Sequence, residues 1–141
     1  MDSRPIIAIT MGDAAGVGPE IVVKALALEE MISIPPSLPL RGGEQLYTLC
    51  RPLVVGDAGV LARARQMLEL PVDLHPVADV SGGRFEPGSI DVLDLANIDL
   101  AKLRVGEVGA MAGRAAVEYV LKAGQLALAG EVQGIATGPL N

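Results

Sequence analysis

The sequence predicts a layered α/β fold in which helices cover both faces of a largely parallel sheet. Short apolar segments alternate with longer amphipathic segments, in the order strand, helix, strand, helix, strand, strand, helix, strand. Alternation of this kind is typical of α/β proteins, and right-handed crossovers distribute the helices over the two faces. The chain has 141 residues, 50% of them hydrophobic, which is the size of a single α/β unit covering residues 1–141.

The first strand is predicted at residues 5–10, where the run PIIAIT has no polar alternation and suits a strand buried on both faces. A glycine-rich turn follows at residues 11–20. Gly18 and Pro19 favour a helix start, because proline is well tolerated at the first helical position. The apolar residues that follow form one broad face, and this helix is expected to end near Met31.

Residues 32–52 are predicted to form an irregular surface excursion, because several prolines and a Gly-Gly pair interrupt any regular element there. A second buried strand is predicted at residues 53–55. Asp57 then suits the N-cap of a helix that runs from residue 58 to about residue 70. A third strand candidate occupies residues 72–77.

Residues 90–93 read IDVL, and this alternation of apolar and acidic residues predicts an edge strand or a strand buried on one side. The longest helical pattern covers residues 107–129. Its apolar residues extend over more than one face, which indicates a helix buried between layers or against a partner. A last strand is predicted at residues 133–137.

The composition argues against several functions. The net charge is −6, from 11 basic and 17 acidic side chains, whereas nucleic-acid binders normally carry a basic face. No apolar run reaches the ~18 residues that a membrane span needs. The amino terminus lacks the pattern of a signal peptide, so we expect a cytoplasmic protein without membrane or nucleic-acid partners.

One cysteine and one histidine limit the chemistry further. Cys50 can form neither an internal disulfide nor a cysteine-based zinc site, and His75 cannot by itself supply a multi-histidine metal site. Cys50 and His75 could in principle form a nucleophile pair, although two unrelated residues are the favoured interpretation.

Residues 12–20, GDAAGVGPE, leave a strand and enter a helix, which is the position where α/β sheets bind ligands. Glycines allow a backbone to approach a ligand, and free N–H groups at a helix start favour an anion. The glycine spacing fits neither the G-x-G-x-x-G dinucleotide fingerprint nor a P-loop. Two interpretations stay open: a ligand-facing loop, or a tight strand-to-helix turn whose glycines serve backbone geometry alone.

Residues 9–21, ITMGDAAGVGPEI, closely resemble the opening of the 4-hydroxythreonine-4-phosphate dehydrogenases of pyridoxal phosphate biosynthesis, which usually have proline in place of Ala14. Four further segments match in order: PLVVGD at 52–57, FEPGSIDV at 85–92, GRAA at 113–116 and VQGIATGPLN at 132–141. The segment 85–92 is similar to one that is typical of a close branch of the family, which acts on 4-phospho-D-threonate or 4-phospho-D-erythronate. The resemblance spans the chain except residues 32–51, and it implies one part of the isocitrate/isopropylmalate dehydrogenase-like fold.

This resemblance implies the amino-terminal part of a longer, two-lobed, homodimeric enzyme. Such enzymes use NAD and a divalent metal ion to oxidise a phosphorylated hydroxy acid, which then loses carbon dioxide. The metal histidines of the family and its histidine-threonine-glutamate segment lie beyond the position of Asn141. We therefore expect no catalytic and no metal-binding residue in this chain, and no activity from the chain alone. The exact phosphorylated substrate and the identity of the metal stay open.

The resemblance also places eight residues at the ligand cleft: Gly12, Asp13, Gly16, Gly18, Glu20, Thr137, Gly138 and Asn141. The residues that would bind the cofactor stay unassigned. Gly16 is expected to need a positive φ. The two carboxylates have an alternative role in stabilising the loop and the helix start by ~0.3–1 kcal/mol.

Two other function classes stay open at this point. Phosphate acetyltransferases share a related fold, and a glycine loop at a helix start suits their phosphorylated substrate as well. The chain could also be a non-enzymatic binding module, with the helix at 107–129 as its interaction surface.

Overall fold

The protein is described from a computed structural model that covers residues 2–27 and 42–140, with side chains from residue 46 onward in the second range. One sheet contains five strands: β1 Ile6–Thr10, β2 Arg51–Gly56, β3 Asp73–Val77, β4 Ser89–Asp94 and β5 Gly134–Thr137. Their order across the sheet is β3-β4-β2-β1-β5, and all four pairings are parallel. The predicted parallel sheet is confirmed.

Four α-helices accompany the sheet in the described ranges: α1 Gly18–Leu26, α2 Gly42–Leu49, α3 Ala58–Leu68 and α4 Ala110–Leu128. A 3-10 turn lies at Val80–Gly82. Helix α1 packs on α3, whereas α4 packs on β1, β2 and β5. The chain crosses from β1 to β2 in one direction and from β4 to β5 in the other. Because parallel crossovers are right-handed, the helices of these two connections lie on opposite faces, as the layered prediction requires.

Local sequence signals explain the helix starts. Asp57 Oδ1 accepts a hydrogen bond of 3.0 Å from the backbone N–H of Val60, so the predicted N-cap of α3 is confirmed. The second oxygen of the same carboxylate accepts from the N–H of Ile98 at 3.1 Å, which joins the start of α3 to the chain beyond β4. Pro19 lies in the first turn of α1, also as predicted.

The two tyrosines are buried, and each hydroxyl has a partner. Tyr47 donates to the carbonyl oxygen of Ser89 at 2.9 Å, and Tyr119 donates to Asn97 Oδ1 at 2.7 Å. Burial raises the pKa of both phenols well above the ordinary value. These side chains therefore connect α2 and α4 to the strand and loop regions on which they lie.

The prediction of an irregular excursion over residues 32–52 is wrong for its second part. Residues 42–49 form α2, and β2 already begins at Arg51. The glycines at 42 and 43 are the first two residues of this helix, and Tyr47 buries its ring in the core. The predicted end of α1 near Met31 is also wrong, because α1 ends at Leu26 and Ala27 already has extended backbone angles. Residues 32–41 lie outside the described residues.

The strand at residues 90–93 is not an edge strand, because β4 lies between β3 and β2. Its acidic residue is buried: Asp91 is 1% exposed. The carboxylate accepts the backbone N–H groups of Arg84 at 3.1 Å and Phe85 at 2.7 Å, and His75 Nδ1 lies 2.8 Å from it. These hydrogen bonds allow a carboxylate in an interior strand, and the alternating pattern could not reveal them.

The longest helix is α4, and within this chain it is buried on one face. Its sheet-facing side carries the buried residues Ala112, Ala115, Ala116, Tyr119, Ala123 and Leu126. The opposite side exposes Val117, Leu121 and Leu128. Within the described residues α4 therefore packs against one layer, and the burial of its other side stays a prediction. No helix in the described ranges is both long and apolar enough to cross a bilayer.

Candidate functional site

The glycine-rich loop lies at the carboxyl end of β1, beside the carboxyl end of β5. Thr10 pairs with Thr137 in the parallel register of these strands. Beyond the strands, Gly138 N–H donates to the Thr10 carbonyl at 2.8 Å, and Asp13 N–H donates to the Pro139 carbonyl at 3.0 Å. The structure thus brings together the two segments that the sequence analysis assigned to the ligand cleft.

Three of the predicted cleft glycines make close backbone contacts. A Cβ atom on Gly12 would lie 2.5 Å from the carbonyl oxygen of Pro139, and Gly12 has a φ of +78°. On Gly18 or Gly138 it would lie 2.2 Å or 2.7 Å from the carbonyl oxygen of Met11. These glycines therefore allow protein backbone, rather than a ligand, to approach them.

Gly16 differs from these glycines. It is half-buried and lies outside the left-handed region of φ, so the expected need for positive φ is wrong. The nearest atoms to an added Cβ would be in Asp13 at 3.6 Å, an ordinary van der Waals distance. Steric access to the loop from outside is therefore greater at Gly16 than at Gly12 or Gly18.

The carboxylates of the loop are held differently. Asp13 is 6% exposed, and its Oδ1 accepts the N–H of Ala15 at 2.8 Å. Its carbonyl oxygen accepts the N–H of Gly16 at 3.0 Å. These bonds form a turn, which supports the structural role left open for Asp13. Glu20 lies in the first turn of α1 and is half-buried.

A groove runs beside the loop, between the start of α1 and α3. Its lining is mainly apolar and includes Ala14, Val60 and Met67, together with the charged side chains of Glu20 and Arg63. Glu20 was expected at the cleft, whereas Arg63 was not. No motif marks Arg63, since it lies on an ordinary amphipathic helix.

Thr10 is a second residue near the loop that no sequence motif marks. It is fully buried at the end of β1, and its hydroxyl has no hydrogen-bond partner among the described residues. Thr137, in register with it on β5, is exposed. Asn141, the last of the predicted cleft residues, lies outside the described residues.

The cysteine and the histidine do not act together. Cys50 is buried, and this burial raises the pKa of its thiol. A raised pKa reduces the thiolate that nucleophilic chemistry needs. His75 is instead paired with Asp91 across β3 and β4. The structure thus favours the interpretation of Cys50 and His75 as unrelated residues.

The family resemblance implies a metal ion and a dinucleotide. Within residues 2–27 and 42–140, no three His, Cys, Asp or Glu side chains lie together as a metal would require. At the glycine loop, protein carbonyl oxygens already fill the space beside Gly12 and Gly18. The described ranges therefore contain no such cluster for a metal ion, and the backbone leaves no room for a ligand directly beside Gly12 and Gly18.

Comparison with known proteins identifies the family of this chain. The family model described as the pyridoxal phosphate biosynthetic protein PdxA matches residues 48–141. A protein of Symbiobacterium thermophilum, provisionally named a D-threonate 4-phosphate dehydrogenase, is 43% identical over the 141 residues. A 4-hydroxythreonine-4-phosphate dehydrogenase of Desulforapulum autotrophicum is 37% identical over 139 residues, which are 99% of this chain and 36% of that protein.

Solved structures support the same assignment. The crystal structure of a 4-hydroxythreonine-4-phosphate dehydrogenase from Burkholderia phymatum superimposes with a TM-score of 0.83 at 42% identity. That match covers 99% of this chain and 38% of the other chain. The Symbiobacterium match likewise covers all of this chain and 38% of that protein, so the chain spans well under half the length of these relatives. On this evidence of sequence and fold, the chain belongs to the PdxA family.

Proposed function

We propose that this chain is the amino-terminal part of a cytoplasmic, homodimeric dehydrogenase that oxidises a phosphorylated hydroxy acid. The observation that carries the proposal is the match to PdxA-family dehydrogenases over essentially the whole chain, at 43% identity in sequence and a TM-score of 0.83 in structure. The same match favours a dehydrogenase over an acetyltransferase or a non-enzymatic module. The substrate is proposed to be 4-hydroxythreonine 4-phosphate or 4-phospho-D-threonate, since relatives carry both names.

The proposed reaction transfers hydride from a secondary alcohol to NAD, and a divalent metal ion supports oxidation and the loss of carbon dioxide. We place the ligands of that metal outside residues 2–27 and 42–140, because the described side chains form no suitable cluster. The contribution of this chain is then to position substrate rather than to supply an acid, a base or a nucleophile.

Two features of the loop support such a positioning role. The N-cap residue of α1 is Val17, whose side chain makes no capping hydrogen bond in the described structure. In the first turn of α1, Pro19 has no N–H and the Ile21 N–H donates to the Val17 carbonyl at 3.0 Å. The start of α1 can therefore offer the N–H groups of Gly18 and Glu20 and the positive end of the helix dipole to an anion, such as a substrate phosphate or carboxylate. The turn around Asp13 and the contacts of Gly12 and Gly18 fix the position of that helix start.

A chimera tests this proposal. Residues 1–141 of this chain would replace the matching 38% of the Burkholderia phymatum enzyme, and NADH formation would be followed at 340 nm with each phosphorylated substrate. Retention of kcat/KM within about tenfold, or about 1.4 kcal/mol, is expected if the chain supplies an equivalent positioning surface.

The chain alone provides the control for the location of the metal site. We expect no NADH formation from it with NAD and a divalent metal ion, because the metal ligands are placed elsewhere. Turnover by the isolated chain would contradict that placement. A folded chimera without activity on either substrate would contradict the proposed function itself.

A further inference from the structure

The hydroxyl of Thr10 is an exception in the interior of this protein. Thr10 is 0% exposed, and its Oγ1 is the one buried side-chain nitrogen or oxygen in the described part of the chain that has no hydrogen-bond partner. Folded proteins pair the great majority of such atoms, because the hydrogen bonds to water that burial removes must be replaced. Valine has nearly the same shape and carries no hydroxyl to satisfy. The folding of the described residues therefore does not account for the threonine.

The strands on either side of β1 place one polar side chain beside Thr10. On β2 its register partner is Val55, which is apolar and fully buried. Ala8, two residues back on the same face of β1, is apolar and buried as well. On β5 the register partner of Thr10 is Thr137. The hydroxyl that the sheet brings to Thr10 is therefore that of Thr137.

The register puts these two threonines within reach of each other. Paired residues of parallel strands direct their side chains to the same face of the sheet, and neighbouring strands lie about 4.8 Å apart. The carbonyl oxygen of Thr10 accepts the N–H of Gly138 at 2.8 Å, which fixes the end of β5 against the end of β1. Thr137 is exposed, so its side chain can change rotamer without displacing packed atoms. A hydrogen bond between the two hydroxyls therefore needs one side-chain rotation and no movement of the backbone.

Thr137 also lies close to the backbone that supports the start of α1. An added Cβ on Gly138 would lie 2.7 Å from the carbonyl oxygen of Met11, and an added Cβ on Gly18 would lie 2.2 Å from the same oxygen. The end of β5 and the first residue of α1 are therefore packed on one carbonyl group. The hydroxyl of Thr137 and the N–H groups at the start of α1 are donors at the same end of the sheet, where α/β proteins bind ligands.

We propose that Thr10 is a positioning residue whose hydroxyl donates to Oγ1 of Thr137, while Thr137 donates its own proton to an anionic oxygen of the substrate. A threonine hydroxyl has one proton and two acceptor lone pairs. The bond from Thr10 occupies one lone pair of Thr137 and leaves its O–H for the phosphate or carboxylate. Thr10 itself is too deeply buried to touch the substrate. The inference rests on the proposed function and adds to it a residue outside the cleft surface.

The melting temperature of the chain tests whether the hydroxyl is unpartnered. Thr10→Val keeps the shape and removes the hydroxyl, so we expect an equal or higher melting temperature. Thr10→Ser keeps the hydroxyl and loses a buried methyl group, so we expect a lower one. A lower melting temperature for Thr10→Val would show that the hydroxyl has a partner inside this chain, and it would overturn the proposal.

In the chimera described above, activity should follow the opposite order. We expect Thr10→Val to lower kcat/KM by about 3–10-fold, mainly through a higher KM, because the lost bond positions bound substrate and transition state alike. Thr10→Ser should retain kcat/KM within about twofold, since it keeps the hydroxyl. A purely structural role would instead make activity follow stability. Thr48→Val is the matched control: it lies at the end of α2, next to the amino end of β2, and should leave kcat/KM unchanged.

A double variant tests whether Thr10 acts through Thr137. Thr137→Val should lose at least as much kcat/KM as Thr10→Val, and the two changes together should lose no more than Thr137→Val alone. Losses that multiply, or an unchanged KM in Thr10→Val, would overturn the proposal and leave the dehydrogenase function standing.

A chimera without activity would contradict the dehydrogenase function, and calorimetric titration with each phosphorylated substrate would then decide on Thr10. Weaker binding by Thr10→Val than by Thr10→Ser would support the hydroxyl pair. Equal binding by the two variants, or no binding by the unmodified chimera, would overturn it.

Discussion

The contact between Gly18 and the Met11 carbonyl oxygen predicts a large cost for the smallest substitution at the start of α1. The added Cβ of Gly18→Ala would lie 2.2 Å from that oxygen, whereas carbon–oxygen contacts begin at about 3.3 Å. One backbone segment must therefore move by roughly 1 Å. Overpacking of this kind costs ~1–3 kcal/mol, and alanine returns at most ~1 kcal/mol of helix propensity.

We expect Gly18→Ala to lose about 2 kcal/mol of unfolding free energy, which lowers the midpoint of urea denaturation by about 1 M at a typical m-value. Circular dichroism at 222 nm measures that midpoint. Gly16→Ala is the matched control, because its Cβ would meet only atoms at 3.6 Å or more and its φ is not left-handed. The control should be neutral or stabilising by up to ~1 kcal/mol. Equal midpoints for the two variants would refute the argument from the Met11 contact.

Three further outcomes follow from the structure. Gly12→Ala and Gly130→Ala share the cost of a left-handed φ, at +78° and +75°. Thermal unfolding should nevertheless show that Gly12→Ala loses ~1–3 kcal/mol more unfolding free energy than Gly130→Ala. The reason is that a Cβ on Gly12 would lie 2.5 Å from the Pro139 carbonyl oxygen, whereas a Cβ on Gly130 would meet no described atom within 4 Å. Ala112→Arg should prevent folding, since Ala112 is 3% exposed, whereas Val117→Arg should keep the helical signal because Val117 is 57% exposed. Folding raises the pKa of both tyrosines above 10.0. The contribution of these phenols to the free energy of unfolding is therefore complete below pH 10 and is lost as the pH rises further. Tyrosinate absorbance at 295 nm that appears before the helical signal is lost would contradict this.

Much of the fold was predictable because its signals are local. The continuous apolar run of β1, the Asp57 cap and the proline at the start of α1 each act within a few residues, and the structure confirms them. Asp91 lies in an interior strand because N–H groups of the 84–85 segment and the ring of His75 reach it. Those partners come from other segments, so the alternation of residues 90–93 could not show them. The glycines at 42 and 43 likewise favoured a break in regular structure, although they are the first two residues of α2.

The location of the candidate site was predictable, but the roles of its residues were not. A strand that leads through glycines into a helix places the loop at the carboxyl end of the sheet, and the structure has it there. A glycine pattern does not tell whether backbone or ligand fills the space that a side chain would take. At Gly12 this space is filled by the carbonyl oxygen of Pro139, which lies more than a hundred residues away in the sequence. Whether Gly16, Glu20 and Thr137 contact a substrate stays a prediction.

The pairing of β1 with β5 has a consequence for how the loop acquires its shape. Gln133 is bonded to Ile6 through two hydrogen bonds, one in each direction, and 127 residues separate them in the chain. Contacts of such high sequence separation pay a large loop-closure entropy and form late in folding. During synthesis the glycine-rich loop leaves the ribosome first. It cannot make its contacts with Gly138 and Pro139 until the chain as far as Pro139 has also left the ribosome. Native geometry at the loop therefore marks the completion of this unit, and protease protection at residues 11–18 should appear only after β5 has joined the sheet.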